Sequence, residues 1–359
     1  MTRVVQWATG PVGTAQLREV IDSPGLDLVG LFVYSPHKVG VDAGDLVGRG
    51  PTGVVATNDK AAILALDADL VLHAASKAYS DNTNTDDIVA LLESGKDVIT
   101  TTSYNHLPTF GAAARERVES ACQRAGTRFH AAGEHPGFMF ERLATTLTGL
   151  SQRVDKIVVQ EFVDCRGLSS KEMLVDLMGM GKPPEDITIT SPMFQAVSIQ
   201  YEQALAATAD ILGLRIDEIH RSIRTATAST DVETRCATLP AGTVVGQILS
   251  WSAHHGGIPV LVAEEHWTAT GGLPTWEHLP DGEFLVRVQV DGAPSLHLDL
   301  RIGNEPIAGF PGVGGGQLAV AMTAIRAIPD VLQAPPGVVI PAIFGAYRWP
   351  RNPARTPAR

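Results

Sequence analysis

Cysteine is scarce in this sequence: three residues among 359, Cys122, Cys165 and Cys236, with no Cys-x-x-Cys pair. Such spacing gives no basis for a disulfide framework or a structural zinc site, and it fits a reducing compartment, so a cytoplasmic location is expected. Scattered thiols of this kind read as small buried residues. Positive charge is also short, with 28 Lys and Arg against 39 Asp and Glu and a net charge of −11. A protein that neutralises a phosphate backbone needs the opposite balance, so nucleic acid is not an expected partner. Any anionic ligand has to be held locally, by backbone N–H groups or a few placed cations. No apolar run approaches the roughly 20 residues that span a bilayer. The chain enters a strand pattern at once, so neither a membrane partner nor a secretory leader is expected.

What the chain does have is 44% hydrophobic and 19% charged residues, the balance of a folded globular protein, over a length that accommodates two domains. Over residues 1–150, short apolar runs alternate with helical patterns. Strands are predicted at 3–7, 26–34, 69–74, 97–101 and 128–132, with helices at 11–21, 85–93 and 110–124. Near-continuous apolar strands separated by helices indicate a doubly wound parallel sheet, an α/β Rossmann-type domain. Beyond residue 150 the rhythm changes. A long strand at 154–163 precedes a helix at 193–212, whose Phe194, Val197, Tyr201, Leu205, Thr208 and Leu212 recur at spacings of three and four. Strands follow at 246–252, 259–268, 283–290 and 295–302, the last two joined by Asp291-Gly292, a hairpin signal. Residues 151–316 are therefore read as an α+β substrate and dimerisation domain on an open, mostly antiparallel sheet. A helix at 317–332 completes the first domain. The tail 346–359 reads as disordered.

The strongest motif is Val4-Val-Gln-Trp-Ala-Thr-Gly-Pro-Val-Gly13. It matches the dinucleotide fingerprint as Ala8-x-Gly10-x-x-Gly13, after a strand and at the start of a helix. Thr9, Gly10, Pro11, Val12 and Gly13 would form the loop. Gly10 lets the backbone approach a pyrophosphate, Gly13 lets helix and strand pack closely, and the helix N-terminus offers N–H groups to the phosphates. Ala8 stands where the fingerprint has its first glycine, so that turn must tolerate a Cβ. An NAD site usually places an acid at the end of the second strand, on the ribose 2′-hydroxyl. Here that place reads Val33-Tyr-Ser-Pro-His-Lys38, without an acid. Ser35, His37 and Lys38 suit a 2′-phosphate instead, so NADP(H) is favoured over NAD(H). Ala74 and Ala75, then Thr101 and Thr102, end later strands, where small residues admit the ribose and nicotinamide.

Four segments together are similar to a known group: Trp7-Ala-Thr-Gly-Pro-Val-Gly13, Tyr34-Ser-Pro-His-Lys-Val-Gly-Val-Asp-Ala-Gly44, His135-Pro-Gly-Phe138 and Ala334-Pro-Pro-Gly337. They resemble the actinobacterial proteins with a dihydrodipicolinate-reductase-like N-terminal domain, a group similar to 2,4-diaminopentanoate dehydrogenase and the native amine dehydrogenases. The resemblance runs to about residue 345. It implies an NAD(P)-binding domain, an open-sheet catalytic and dimerisation domain, a homodimer, and hydride exchange with an imine or carbonyl held in the cleft between domains. Two departures stand out. The reductases' Glu-x-His-His…Lys signature falls on Glu161-Phe-Val-Asp-Cys-Arg-Gly167, where only the Glu is kept. The amine dehydrogenases' glutamate after the fifth strand falls in Ser103-Tyr-Asn-His-Leu-Pro108, which has no carboxylate.

Reducing C=N or C=O needs a proton donor, or a carboxylate that steadies an iminium. Glu134 is the best-placed carboxylate and His106 the best-placed imidazole, with Tyr104 and Asn105 able to orient an oxygen. Each has a plainer alternative: capping or ion pairing for Glu134, packing for the loop residues. Glu161 and Asp164 are further carboxylates that do not share a strand face. Adjacent His254 and His255 point to opposite faces, and with His266 they form no ligand cluster in sequence, so no metal is expected. Met173, Met178 and Met180, with Phe138, Met139 and Trp251, suggest an apolar pocket. The resulting expectation is an NADP(H)-dependent oxidoreductase, amine dehydrogenase-like, acting on a small-molecule amine, ketone or aldehyde. The alternatives are a carbonyl reductase or alcohol dehydrogenase and, from another class, an NADP(H)-binding sensor without turnover.

Overall fold

The structure is a computed structural model that describes residues 1–76, 82–271, 273, 276, 284–303 and 312–349. The chain divides into two compact units, Met1–Phe138 with Glu305–Pro341, and Met139–Asn304 with Ala342–Arg359.

The first unit is a six-stranded parallel sheet. Its strands are β1 (Thr2–Trp7), β2 (Leu26–Phe32), β3 (Leu70–His73), β4 (Asp97–Thr100) and β5 (Arg128–Ala131), plus the short Gly337–Val338. The spatial order is Gly337–Val338, β5, β4, β3, β1, β2. Strand order reverses around β1, and ligands of doubly wound sheets bind beyond the carboxyl ends of the strands at such a point. β3 and β4 are buried throughout, which is why their centres, Leu70-Val-Leu72 and Val98-Ile99, read as apolar runs. One sheet face is covered by α1 (Pro11–Asp22) and the helix Gly315–Gln333, whose Ala324, Ile325, Ile328 and Val331 pack with Val4, Leu70, Leu72 and Ile99. The other face is covered by α2 (Lys60–Ala65), α3 (Thr83–Glu93), the single turn α4 (Leu107–Phe110) and α5 (Ala112–Ala125), packed with Val5, Val71, Val98 and Phe129. α2, absent from the sequence reading, is capped by Asp59, whose carboxylate accepts from Ala62 N at 3.1 Å.

In the second unit, π-helical turns at Met139–Ala144 run into α6 (Thr145–Leu147). Its sheet comprises β6 (Arg153–Asp164), β7 (Glu218–Thr227), β10 (Val244–His255), β11 (Ile258–Thr268), β12 (Phe284–Ala293) and β13 (Leu296–Ile302); β8 (Val232–Glu233) and β9 (Thr238–Leu239) form a separate small ladder. The order is β13-β12-β6-β11-β10-β7, antiparallel at every pairing except β6 with β11. The long helix α7 (Pro192–Leu212) lies on this sheet. Trp251 of β10 is fully buried between its Phe194 and Tyr201, at ring distances of 5.1 and 4.5 Å, and its indole N–H donates to Ser198 Oγ.

Three sequence expectations are corrected. The unit boundary falls at 138, ahead of 150, because the helical stretch from Met139 packs on α7. Asp291-Gly292 is not the hairpin turn: both residues belong to β12 and pair with β6 across a register shift. A Cβ on Gly292 would lie 2.0 Å from Arg153 O, so glycine is needed there for a close backbone approach. The start of the tail is fixed, since Tyr347 N donates to Thr148 Oγ1 and Trp349 N to Leu212 O. Residues 350–359 lie outside the described residues.

Candidate active site

The loop joining β1 to α1 is built on close approach. A Cβ on Gly13 would sit 2.2 Å from Ala8 O and 3.1 Å from Gln6 Nε2, so only glycine lets α1 start directly against the strand. A Cβ on Gly10 would meet nothing within 4 Å. That open space at the helix mouth is where an anion can approach the backbone. Pro11 occupies the first turn and no side chain caps this end, which leaves its N–H groups to a ligand. Ala8 has φ +75°, the left-handed conformation that the missing glycine would adopt freely. Gln6 Nε2 donates to Ala8 O at 3.1 Å and helps hold it there.

Lys38, at the end of the short turn Pro36–Lys38, reaches back to this loop. Its ammonium donates to Thr9 O at 2.8 Å and to Thr9 Oγ1 at 3.0 Å. The cation singled out by sequence thus bonds the loop between β1 and α1. Ser35 begins the same turn, accepting from Lys38 N through its carbonyl, and His37 is exposed. Sequence reasoning missed a cluster next to this turn. Tyr34 is 45% exposed, and its hydroxyl accepts from Trp7 Nε1 at 3.0 Å and donates to Asp87 Oδ2 at 3.1 Å. Buried Asp87 also pairs with Lys60. Burial, opposed by the Trp7 hydrogen bond and reinforced by the Asp87 charge, pushes the Tyr34 phenol up to about 12. Only an aromatic ring left half in solvent at the end of an otherwise buried strand could have signalled it.

Ala74, Ala75, Thr101 and Thr102 follow β3 and β4 side by side. Ala74 N donates to Trp7 O and Thr101 N to His73 O. Beneath them runs a buried polar chain: His73 Nδ1 to Thr100 Oγ1 at 2.9 Å, then to Thr102 Oγ1 at 2.7 Å. His73 Nε2 is buried without a hydrogen-bond partner. Desolvation, with the Lys60 charge adding to it, pushes this imidazole down to about 3.

The four expected catalytic residues separate into two sets. Tyr104 is buried, its hydroxyl bonded to Thr85 Oγ1 at 2.8 Å and its ring against Phe110 and Phe129. His106 Nδ1 is 2.8 Å from Thr109 Oγ1, one turn along α4. Asn105 and Glu134 are brought together by the turn after β5. In that turn a Cβ on Gly133 would be 2.2 Å from Pro136 O, and one on Gly137 would be 2.8 Å from Asn105 Nδ2. Two glycines therefore close the turn that carries buried Glu134, with Asn105 packed on it. The segment after β4 also holds Ser103 at φ +65°, strain of a kind that clusters at functional loops.

In the second unit, Glu161 accepts from Tyr201 at 2.9 Å, and its cross-strand neighbour Glu265 accepts from Trp267 Nε1 at 2.9 Å. Asp164 forms an ion pair with Arg166 at 2.8 Å. A cavity of about 410 Å³ lies beside α7, with Met178, Met193, Phe194, Ile223 and Leu249 among its walls. Of the methionine set expected to line a pocket, only Met178 does; Met180 is core and Met173 is exposed. Among the described residues no helix is long and apolar enough to cross a membrane.

Gly10→Ala is expected to keep the fold within about 0.5 kcal/mol in urea denaturation yet weaken dinucleotide binding roughly tenfold or more, whereas Gly13→Ala lowers stability itself. His73 gives a pH prediction. Its pKa is lower in the folded chain than in the unfolded, so unfolded chains bind more protons below about 6.5. Stability falls as pH drops through that point, by up to about 1.4 kcal/mol per pH unit from this group. Urea denaturation at pH 7 and pH 5 should show a smaller loss in His73→Asn than in the parent.

Residues 138–342 match the family model of the 2,4-diaminopentanoate dehydrogenase C-terminal domain. An amine dehydrogenase of Streptomyces virginiae is 30% identical, over 99% of this chain and 98% of its own. The solved amine dehydrogenase of Mycobacterium smegmatis superposes with TM-score 0.70 at 21% identity, covering 98% of each chain. A probable dehydrogenase from Thermotoga maritima gives TM-score 0.56 at 13% identity over 94% of this chain and 90% of its own; these two show a shared fold. The chain belongs to the amine dehydrogenase family with a 2,4-diaminopentanoate dehydrogenase C-terminal domain, and it is an NAD(P)-dependent oxidoreductase.

Proposed function

We propose that this oxidoreductase uses NADP(H) and exchanges hydride with an imine, so that it aminates a ketone or aldehyde reductively or deaminates an amine. The observation that carries the cofactor assignment is the Lys38 ammonium seated on Thr9 beside the phosphate loop, at the end of a strand without an acid. A cation there attracts a 2′-phosphate, and an acid would repel it. The open space over Gly10 fits the pyrophosphate. Ser35 and His37 add a hydroxyl and an imidazole, and the half-exposed Tyr34 ring offers a face for adenine to stack on.

When bound, the reduced nicotinamide supplies a hydride. The protein's own residues handle the protons. Glu134, buried in its glycine-closed turn, is assigned the acid–base role: as a carboxylate it steadies an iminium and removes a proton from the attacking ammonia, and as an acid it protonates the departing hydroxyl. Asn105, packed on the same turn, orients the reacting group. His106 is a second proton carrier within the same loop system. Thr101, Thr102, Ala74 and Ala75 accommodate the nicotinamide riboside, with the Thr102 hydroxyl held by Thr100, which in turn bonds neutral His73.

The test is cofactor consumption with a panel of ketones and aldehydes, with and without ammonia. Ammonia-dependent turnover is expected, while turnover without ammonia would reassign the enzyme to carbonyl reduction. Glu134→Gln should lower kcat by roughly 10²-fold or more with cofactor affinity unchanged; an unchanged kcat moves the role elsewhere. Lys38→Ala should weaken NADPH by about 10- to 100-fold and leave NADH almost untouched; equal loss of both would return the site to NAD. We also propose a homodimer through the sheet of the second unit, which sedimentation should register as twice the chain mass.

A further inference from the structure

A different group of side chains meets on the outer edge of the second unit's sheet. β7 is the edge strand, and its register on β10 sets Glu218 opposite His254 and His220 opposite Ser252. Alternate residues of a strand share a face, so these four form one block on the side away from Trp251. The contacts are close: Glu218 Oε1 to His220 Nε2 at 3.1 Å, the His220 and His254 rings 4.1 Å apart, and His254 Nε2 to Ser252 Oγ at 2.8 Å. One ligand atom each from Glu218, His220 and His254 lies within 4.8 Å of the other two. His255, by contrast, turns to the other face and bonds Arg215 O. In sequence, His254 stood without partners because the strand carrying Glu218 and His220 was not recognised.

We propose that Glu218, His220 and His254 form a binding site for a divalent transition-metal ion of the zinc class. Two imidazoles and one carboxylate make a borderline donor set, which selects zinc, cobalt, nickel or copper over calcium and magnesium. Three protein ligands leave a position for water. Ligand atoms around a tetrahedral ion with bonds of about 2.0–2.1 Å stand roughly 3.3 Å apart. The observed spread closes by rotation of Glu218 and His220, both more than half exposed, onto the buried His254. The ion takes the place of the proton in the His220–Glu218 hydrogen bond. Ser252 supplies the oxygen partner that ligating histidines usually have behind them. Bound there, the ion ties the edge strand to its neighbour and stabilises the fold by mass action.

The experiment uses the full chain after dialysis against a chelator. Co²⁺ is titrated with its visible absorption band recorded, and Zn²⁺ is titrated by calorimetry, both at neutral pH. One equivalent is expected to bind at micromolar free metal, with the band of a low-coordinate nitrogen and oxygen site and a rise in Tm. His254→Ala and His220→Asn should each weaken binding about tenfold or more, while His255→Asn leaves it unchanged. His220→Asn changes an exposed side chain, so circular dichroism confirms that loss of binding is not loss of fold. The proposal is overturned if no saturable uptake occurs below millimolar metal, or if uptake survives both His220→Asn and His254→Ala.

Discussion

The tightest constraint in the first unit is the approach of α1 to β1. With Gly13 set against the carbonyl of Ala8, the helix starts within one turn of the strand's end, and its free N–H groups face the opening above Gly10. Lys38 completes the arrangement by bonding the same loop. Everything proposed about the cofactor follows from that geometry. It also accounts for the tolerated left-handed Ala8. The cost of holding an alanine there, about 1–2 kcal/mol, is offset by the Gln6 hydrogen bond and the packing around it.

A second theme is the placing of neutral and charged groups. At the ends of β3 and β4 the molecule keeps an imidazole uncharged and strings hydroxyls from it, a polar but neutral floor. The neighbouring cations are each held by a partner, Lys60 on buried Asp87 and Lys38 on Thr9. A neutral floor holds small hydroxyls in fixed orientations without adding a charge of its own.

Much of this was legible in the sequence, for identifiable reasons. Strands buried on both faces carry adjacent apolar residues, as at Val4-Val5, Val71-Leu72 and Val98-Ile99, so β1, β3 and β4, and with them β5, appear within a residue or two of where they lie. α7 shows its buried face at Phe194, Tyr201 and Leu205. Short-range rules failed where a distant partner decides. β7 is a polar edge strand, Glu-Ile-His-Arg-Ser-Ile, whose exposure blurs the alternation. Asp291-Gly292 looked like a turn, but Arg153 on another strand is what requires that glycine. Of the site, the phosphate loop and Lys38 could be read locally. The Tyr34, Asp87 and Lys60 cluster joins three segments, and Glu218, His220 and His254 join two. Pairings of that kind exist only once the sheet has assembled.

The helix Gly315–Gln333 closes one face of the first unit, yet the chain delivers it only after the segment Met139–Asn304 of the second unit has been made. A nascent polypeptide therefore carries Val4, Leu70, Leu72 and Ile99 without that helix until residues 139–304 have been made. Met139–Asn304 is in effect an insertion into the first unit, whose sheet gains this helix only once the insertion has been made.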